Sequence, residues 1–215
     1  MKGPLFVLAL AAAATLSGGS AHIALAAEHR SEAQLFATNN TAIITDPNDP
    51  RLNDRLVQFG EQVTDILDDG GADAEGSTLL NGVFFDSTAQ AVTYERSREF
   101  DVQDVSPARL HALAAVVRDR FHQDSVLTFR FLPRSSPDAT AIEVQTPGIS
   151  VQRLHDALVA DPAAANELGG GSVTLEGRLI EVAPLSDLDL VERLVAELGG
   201  SWTASTIRYG AEEFV

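Results

Sequence analysis

Two short runs set the same residue types at the same offsets, Ser106-x-x-Arg109-Leu110-His111 and Ser150-x-x-Arg153-Leu154-His155. A serine just before an apolar-periodic stretch is a helix cap, so each run puts an arginine and a histidine near the start of a helix. One reading makes His111 and His155 related positions flanking one cleft. The other packs Leu110 and Leu154 inward and leaves Arg and His on solvated flanks, and the pattern favours it. Neither these histidines nor His29 and His122 form a His-x-His or His-Glu-x-x-His pair, and the chain has no Cys, so no metal site is expected.

A second candidate is the run Val92-Thr93-Tyr94-Glu95-Arg96-Ser97-Arg98-Glu99-Phe100. Alternation along a strand puts Val92, Tyr94, Arg96, Arg98 and Phe100 on one face, and Thr93, Glu95, Ser97 and Glu99 on the other. Charge therefore falls on a strand whose order in the chain makes it central in a sheet. Arg96 and Arg98, joined by Arg130, could form an anion-binding patch on an acidic protein. The competing reading is internal pairing with Glu95, Glu99 or Asp101.

Other signatures are absent or weak. There is no Gly-x-Ser-x-Gly elbow and no arrangement that singles out a Ser-His-Asp set, so no catalytic residue is named. Gly169-Gly170-Gly171 precedes a strand rather than a helix, which removes it as a phosphate loop. The acidic stretches around Asp46–Asp49 and Asp68–Glu75 offer oxygen ligands but lack the calcium-loop spacing, and they read as turns and caps. No cofactor is expected.

The elements that must position these residues are clearly punctuated. Helices are predicted from Asp49-Pro50 to Gly70-Gly71, from Ser106-Pro107, from Ser150 with a break and restart at Asp161-Pro162, and from Ser186 to Gly199-Gly200. Strand-like runs lie at Gln34–Thr45, Thr78–Asp86, Ala91–Asp101, Ser125–Leu132, Thr140–Gln145, Ser172–Leu175, Arg178–Val182 and Ser201–Tyr209. The order β-α-β-β-α-β thus occurs twice. The expected fold is α+β: two tandem ferredoxin-like (βαββαβ) units with antiparallel sheets, residues 33–132 and 139–215, joined by a linker at 133–138. Each such sheet would leave one face uncovered.

Ahead of them, Met1-Lys2, the apolar run Leu5–Leu16 and the small-x-small site Ala24-Leu25-Ala26 describe a secretory signal peptide over residues 1–26. That reading implies a soluble protein, secreted or held in the cell envelope. The 215-residue chain carries a net charge of −16 and no lysine beyond Lys2, a balance that opposes binding to nucleic acid or anionic lipid.

The stretch Glu95-Arg96-Ser97-Arg98, followed by an Ala-rich helix and Phe121-His122-Gln123-Asp124-Ser125-Val126-Leu127, resembles a family of short exported bacterial domains of unknown function. The likeness covers residues 33–132 and implies no activity. The leading expectation is a non-catalytic binding module, inhibitor-like or associated with the cell envelope, using the uncovered sheet face or the gap between halves for a protein or a small anionic ligand. The alternative is an enzyme with a pocket enclosed between the two α/β units. The binding positions named are Arg96, Arg98, Arg130, His111 and His155.

Overall fold

The computed structural model describes residues 32–38 and 42–215. The expected signal peptide, residues 1–26, lies outside them, and no finding supports export. Among the described residues no helix is long and apolar enough to cross a membrane.

The chain runs β1 (Ala33–Thr38), α1 (Leu56–Asp69), β2 (Asp73–Asp86), β3 (Ala91–Gln103), α2 (Pro107–Phe121), β4 (Leu127–Phe131), β5 (Ala141–Pro147), α3 (Val151–Ala160), α4 (Pro162–Leu168), β6 (Gly170–Thr174), β7 (Arg178–Pro184), α5 (Leu188–Glu197) and β8 (Thr206–Phe214). The helix starts follow the capping chemistry with two exceptions. Ser106 and Ser150 accept hydrogen bonds from the backbone N–H groups of Arg109 and Arg153, and Asp161 caps α4 through Ala164 N–H. Asp49, however, caps only a short 3-10 turn, Pro50–Asn53. The left-handed backbone of Arg55 separates that turn from α1. Ser186 caps nothing, because a 3-10 turn at Leu185–Asp187 leads into α5. Ser150→Ala should lower stability by about 1 kcal/mol, a fall in melting temperature of roughly 2–4 °C readable by calorimetry.

The strands form one closed antiparallel barrel in the order β1-β3-β2-β6-β7-β5-β8-β4, with β4 pairing back to β1. This overturns the expectation of two tandem ferredoxin-like units with separate antiparallel sheets. Strands β4-β1-β3-β2 run side by side, as do β8-β5-β7-β6, but the arcs are joined by β2–β6 and β4–β8 pairing. The physical reason is that each arc alone would end in strands with unpaired N–H and C=O groups, and pairing arc to arc removes those edges. The fold is a single barrel.

Closure divides the side chains by parity. One set faces the helices. Leu35, Ala37, Phe100 and Val102 pack with Phe59, Val63 and Leu67 of α1 and Leu113, Ala114 and Val117 of α2. Val83, Tyr94, Ile142, Val144, Val173, Leu179 and Ala183 pack with α3, α4 and α5 through Leu154, Leu158, Ala165, Val191, Leu194 and Val195. The alternate residues of every strand therefore line the barrel's interior, which for eight strands is just wide enough to be filled by side chains or to hold one small ligand. Glycine makes room there for bulk. A Cβ on Gly210 would strike the Phe129 ring and the Arg130 carbonyl, and one on Gly82 would strike Phe84.

Candidate functional site

The interior of the barrel mixes apolar residues, among them Leu80, Phe129 and Ile180, with polar ones that are unusually well removed from water. Register assigns Gln34 of β1, Ser97, Glu99 and Asp101 of β3, Glu143 and Gln145 of β5, Ser172 and Thr174 of β6, Arg178 of β7 and Arg208 of β8 to the lumen. Glu143 is fully buried, and Gln34, Ser97, Glu99, Gln145, Ser172 and Thr174 are all buried as well. Because the strands alternate in direction, Gln34, Glu99, Asp101, Glu143, Gln145, Arg178, Arg208 and Phe131 gather toward the same end of the barrel. Arg178 is exposed at this mouth, and about a third of the Arg208 side chain reaches solvent.

Hydrogen bonds tie these groups into two walls. On β1 and β3, the Gln34 amide nitrogen donates to Glu99 Oε1 and to Asp101 Oδ1, the latter at 3.3 Å. On β5, β7 and β8, Arg208 Nη2 donates to Glu143 Oε1 at 3.0 Å, Gln145 Nε2 donates to the same oxygen, and Arg178 Nη1 donates to Gln145 Oε1 at 3.2 Å. The Arg208 guanidinium lies 4.7 Å over the Phe131 ring, which fixes it from the other side. Several buried atoms stay without a partner: Gln34 Oε1, Ser97 Oγ, Gln103 Nε2, Glu143 Oε2 and Arg208 Nε.

The electrostatics follow from burial. Loss of water pushes the Glu99 carboxyl up to about 8, with the charges of Glu143 and Asp101 adding to the shift and Arg208 and Arg178 opposing it. Burial raises Glu143 too, against Arg208 and the Gln145 hydrogen bond. Toward the opposite end of the barrel, burial pushes Glu95 up to about 7. A carboxyl that titrates near neutrality can hold or release a proton under working conditions, which an ordinary glutamate does not.

The residues singled out from sequence lie elsewhere. Arg96 and Arg98 share the helix-facing side of β3 with Tyr94 and Phe100, so they do not pair with Glu95 or Glu99 across the strand. Arg98 Nε donates to the Leu56 carbonyl (3.3 Å) and Nη1 to Ser77 Oγ (2.9 Å), and its guanidinium packs against Gly60. It ties the first turn of α1 to the barrel. Arg130 borders a surface cleft of about 270 Å³ with Pro107, Leu110, Thr128 and Glu213. His111 meets Glu213 at 2.9 Å on the outside of β8, whereas His155 stacks on Tyr94 at 4.9 Å and contacts Asp156. The two histidines share no cleft.

The repeated Ser-x-x-Arg-Leu-His pattern has a structural explanation instead. In both copies the serine caps its helix and the leucine is buried. The arginine reaches a carbonyl at the C-terminal end of the neighbouring helix, Arg109 to Gly70 after α1 and Arg153 to Leu198 after α5. A cation there complements the negative end of the helix dipole.

Barrel closure turns one face of the sheet inward and packs helices against the other, which takes away the two separate sheets and the gap between halves on which the non-catalytic binding module rested. No family model and no curated protein sequence matches the chain, so the likeness over residues 33–132 gains no support. Among solved structures, a Lactobacillus acidophilus NCFM protein with a provisional monooxygenase name aligns over 85% of this chain and 94% of its own. The identity is 13% and the TM-score 0.25, too low to bear on fold or chemistry.

Proposed function

We propose that the barrel lumen is the working site of an enzyme that moves protons on a small polar molecule, with Glu99 and Glu143 as the acid–base pair. The single observation behind this reading is the placement of the two carboxyls. They are buried in one lumen, both are raised above the ordinary glutamate value, and Arg208 stands beside Glu143. Two interacting carboxyls in such a setting ionise in sequence, so one serves as base while the other still carries its proton. Arg208 would steady negative charge developing on the substrate, for example on the oxygen of an enolate formed when a proton leaves the carbon beside a carbonyl. The proton taken is then returned, and no oxidant or reductant is consumed.

The test follows hydrogen–deuterium exchange in a panel of small carbonyl compounds by proton NMR, with the whole protein in heavy water. At least one compound should exchange faster than in buffer, and Glu99→Gln should slow that exchange at least a hundredfold. A carbon-13 NMR titration of the same protein should find a glutamate carboxyl, absent from the variant, with a midpoint near 8. A Glu99 midpoint in the ordinary glutamate range would remove the basis of the proposal.

A further inference from the structure

We infer that the lumen takes an organic cation bearing N–H donors, a primary ammonium or an amidinium, which seats against Gln34 Oε1 and Glu143 Oε2 and releases a proton as it binds. The inference rests on the lumen being the working site and names the class of ligand it accepts.

Gln34 is 1% exposed and Glu143 0%, and each keeps an acceptor oxygen with no donor in reach. Buried acceptors left unmatched carry a desolvation penalty, so a ligand that brings donors recovers a cost the folded protein already bears. The Gln34 amide nitrogen does not supply them, because it already serves both Glu99 and Asp101. Buried donors without a partner, Ser97 Oγ, Gln103 Nε2 and Arg208 Nε among them, suit an acceptor elsewhere on the same ligand, such as the carbonyl of the proposed reaction.

Charge selects the sign of the donor group. The groups facing the lumen are Glu95, Glu99 and Asp101 on β3, Glu143 on β5, Arg178 on β7, and Arg208 and Glu212 on β8. Carboxyls exceed guanidiniums, and Arg208 is already engaged by Glu143 while Arg178 lies in water at the mouth. An added anion would favour the protonated carboxyls. An added cation favours the ionised form of Glu99, and so displaces the proton held there.

Calorimetric titration of the full chain at pH 7 with butylammonium and with butylamidinium, each in two buffers of different ionisation heat, reads both affinity and proton release. Binding should release a measurable fraction of one proton. Tetramethylammonium, equally charged but without N–H groups, and butyrate should bind at least tenfold more weakly. Glu143→Gln and Gln34→Leu, each checked for folding by circular dichroism, should weaken butylammonium at least tenfold. Butyrate binding as tightly as the amine, amine binding without proton release, or no amine binding up to about 10 mM would each overturn the assignment. Should substrate exchange through Glu99 persist while amines fail to bind, the cation assignment falls and the acid–base reading stands. Amine binding with proton release but no exchange in any carbonyl compound upholds the cation assignment and removes the acid–base reading.

Discussion

Glu181→Leu should stabilise the protein by on the order of 3 kcal/mol at pH 7, and by more at pH 8. Glu181 sits on β7 with no solvent exposure, and neither of its carboxylate oxygens has a hydrogen-bond partner. It does not belong to the lumen. It pairs in register with Val144 and alternates with Leu179 and Ala183, all of which face the helices, and a Cβ on the neighbouring Gly171 would collide with its Oε2. Burial raises its carboxyl well above the ordinary value of 4.5, with the charge of Glu212 adding to the effect.

The sign of the pH effect follows from proton counting. Above pH 4.5 the unfolded chain gives up this proton while the folded chain keeps it, so stability declines as pH rises. The decline is about 1.4 kcal/mol per pH unit and stops once the folded group also ionises. Glu95, Glu99, Glu143 and Glu212 are raised as well and act in the same direction. Leucine at 181 removes one such contribution and one unsatisfied buried polar group. Urea unfolding between pH 5 and pH 8.5 should give a shallower pH slope for Glu181→Leu than for the natural protein, and Glu181→Gln should share the slope but gain less. Parallel stability curves for the three proteins would show that Glu181 reaches water in solution.

The sequence carried the element order and most helix ends, because caps and glycine stops are local chemistry. It did not carry closure. Whether β2 pairs with β6 and β4 with β8 depends on contacts between strands about ninety residues apart, for which alternation and capping offer no signal. The site was half legible. Alternation on β3 correctly separated Arg96 and Arg98 from Glu95, Ser97 and Glu99, and a central strand with charge on both faces was the right anomaly to notice. The arginine face drew attention because cations stand out on an acidic chain, yet Arg98 is explained by holding α1. The carboxylate face entered only as a source of pairing partners for those arginines until the barrel closed around it. The same signature was present in Ala141-Ile142-Glu143-Val144-Gln145 and in Ile207-Arg208-Tyr209, where polar residues alternate with apolar ones that the helices cover. Partners for Glu143 could only be named once β8 was known to lie beside β5.

That neighbouring pair gives the other large effect. Glu143→Ala should cost about 2–3 kcal/mol. The change leaves Arg208 Nη2 without the carboxylate it meets at 3.0 Å and removes the acceptor of the Gln145 amide. Removing one member of a buried pair costs more than this when the survivor is fully enclosed, but Arg208 is about a third exposed and can turn toward water, which lowers the figure. Arg208→Ala should therefore cost more than the exposure of its tip implies. It forfeits the packing on Phe131 and strands Glu143, which has no route to solvent and answers by taking up a proton. The double variant should be less destabilised than the sum of the two singles by about 1–2 kcal/mol. Lowering the pH should shrink that coupling, because burial raises the Glu143 carboxyl and a protonated carboxyl has little to offer a guanidinium. Singles that simply add at every pH would mean that the two side chains do not meet in solution, and the lumen would lose the charge arrangement on which its proton chemistry depends.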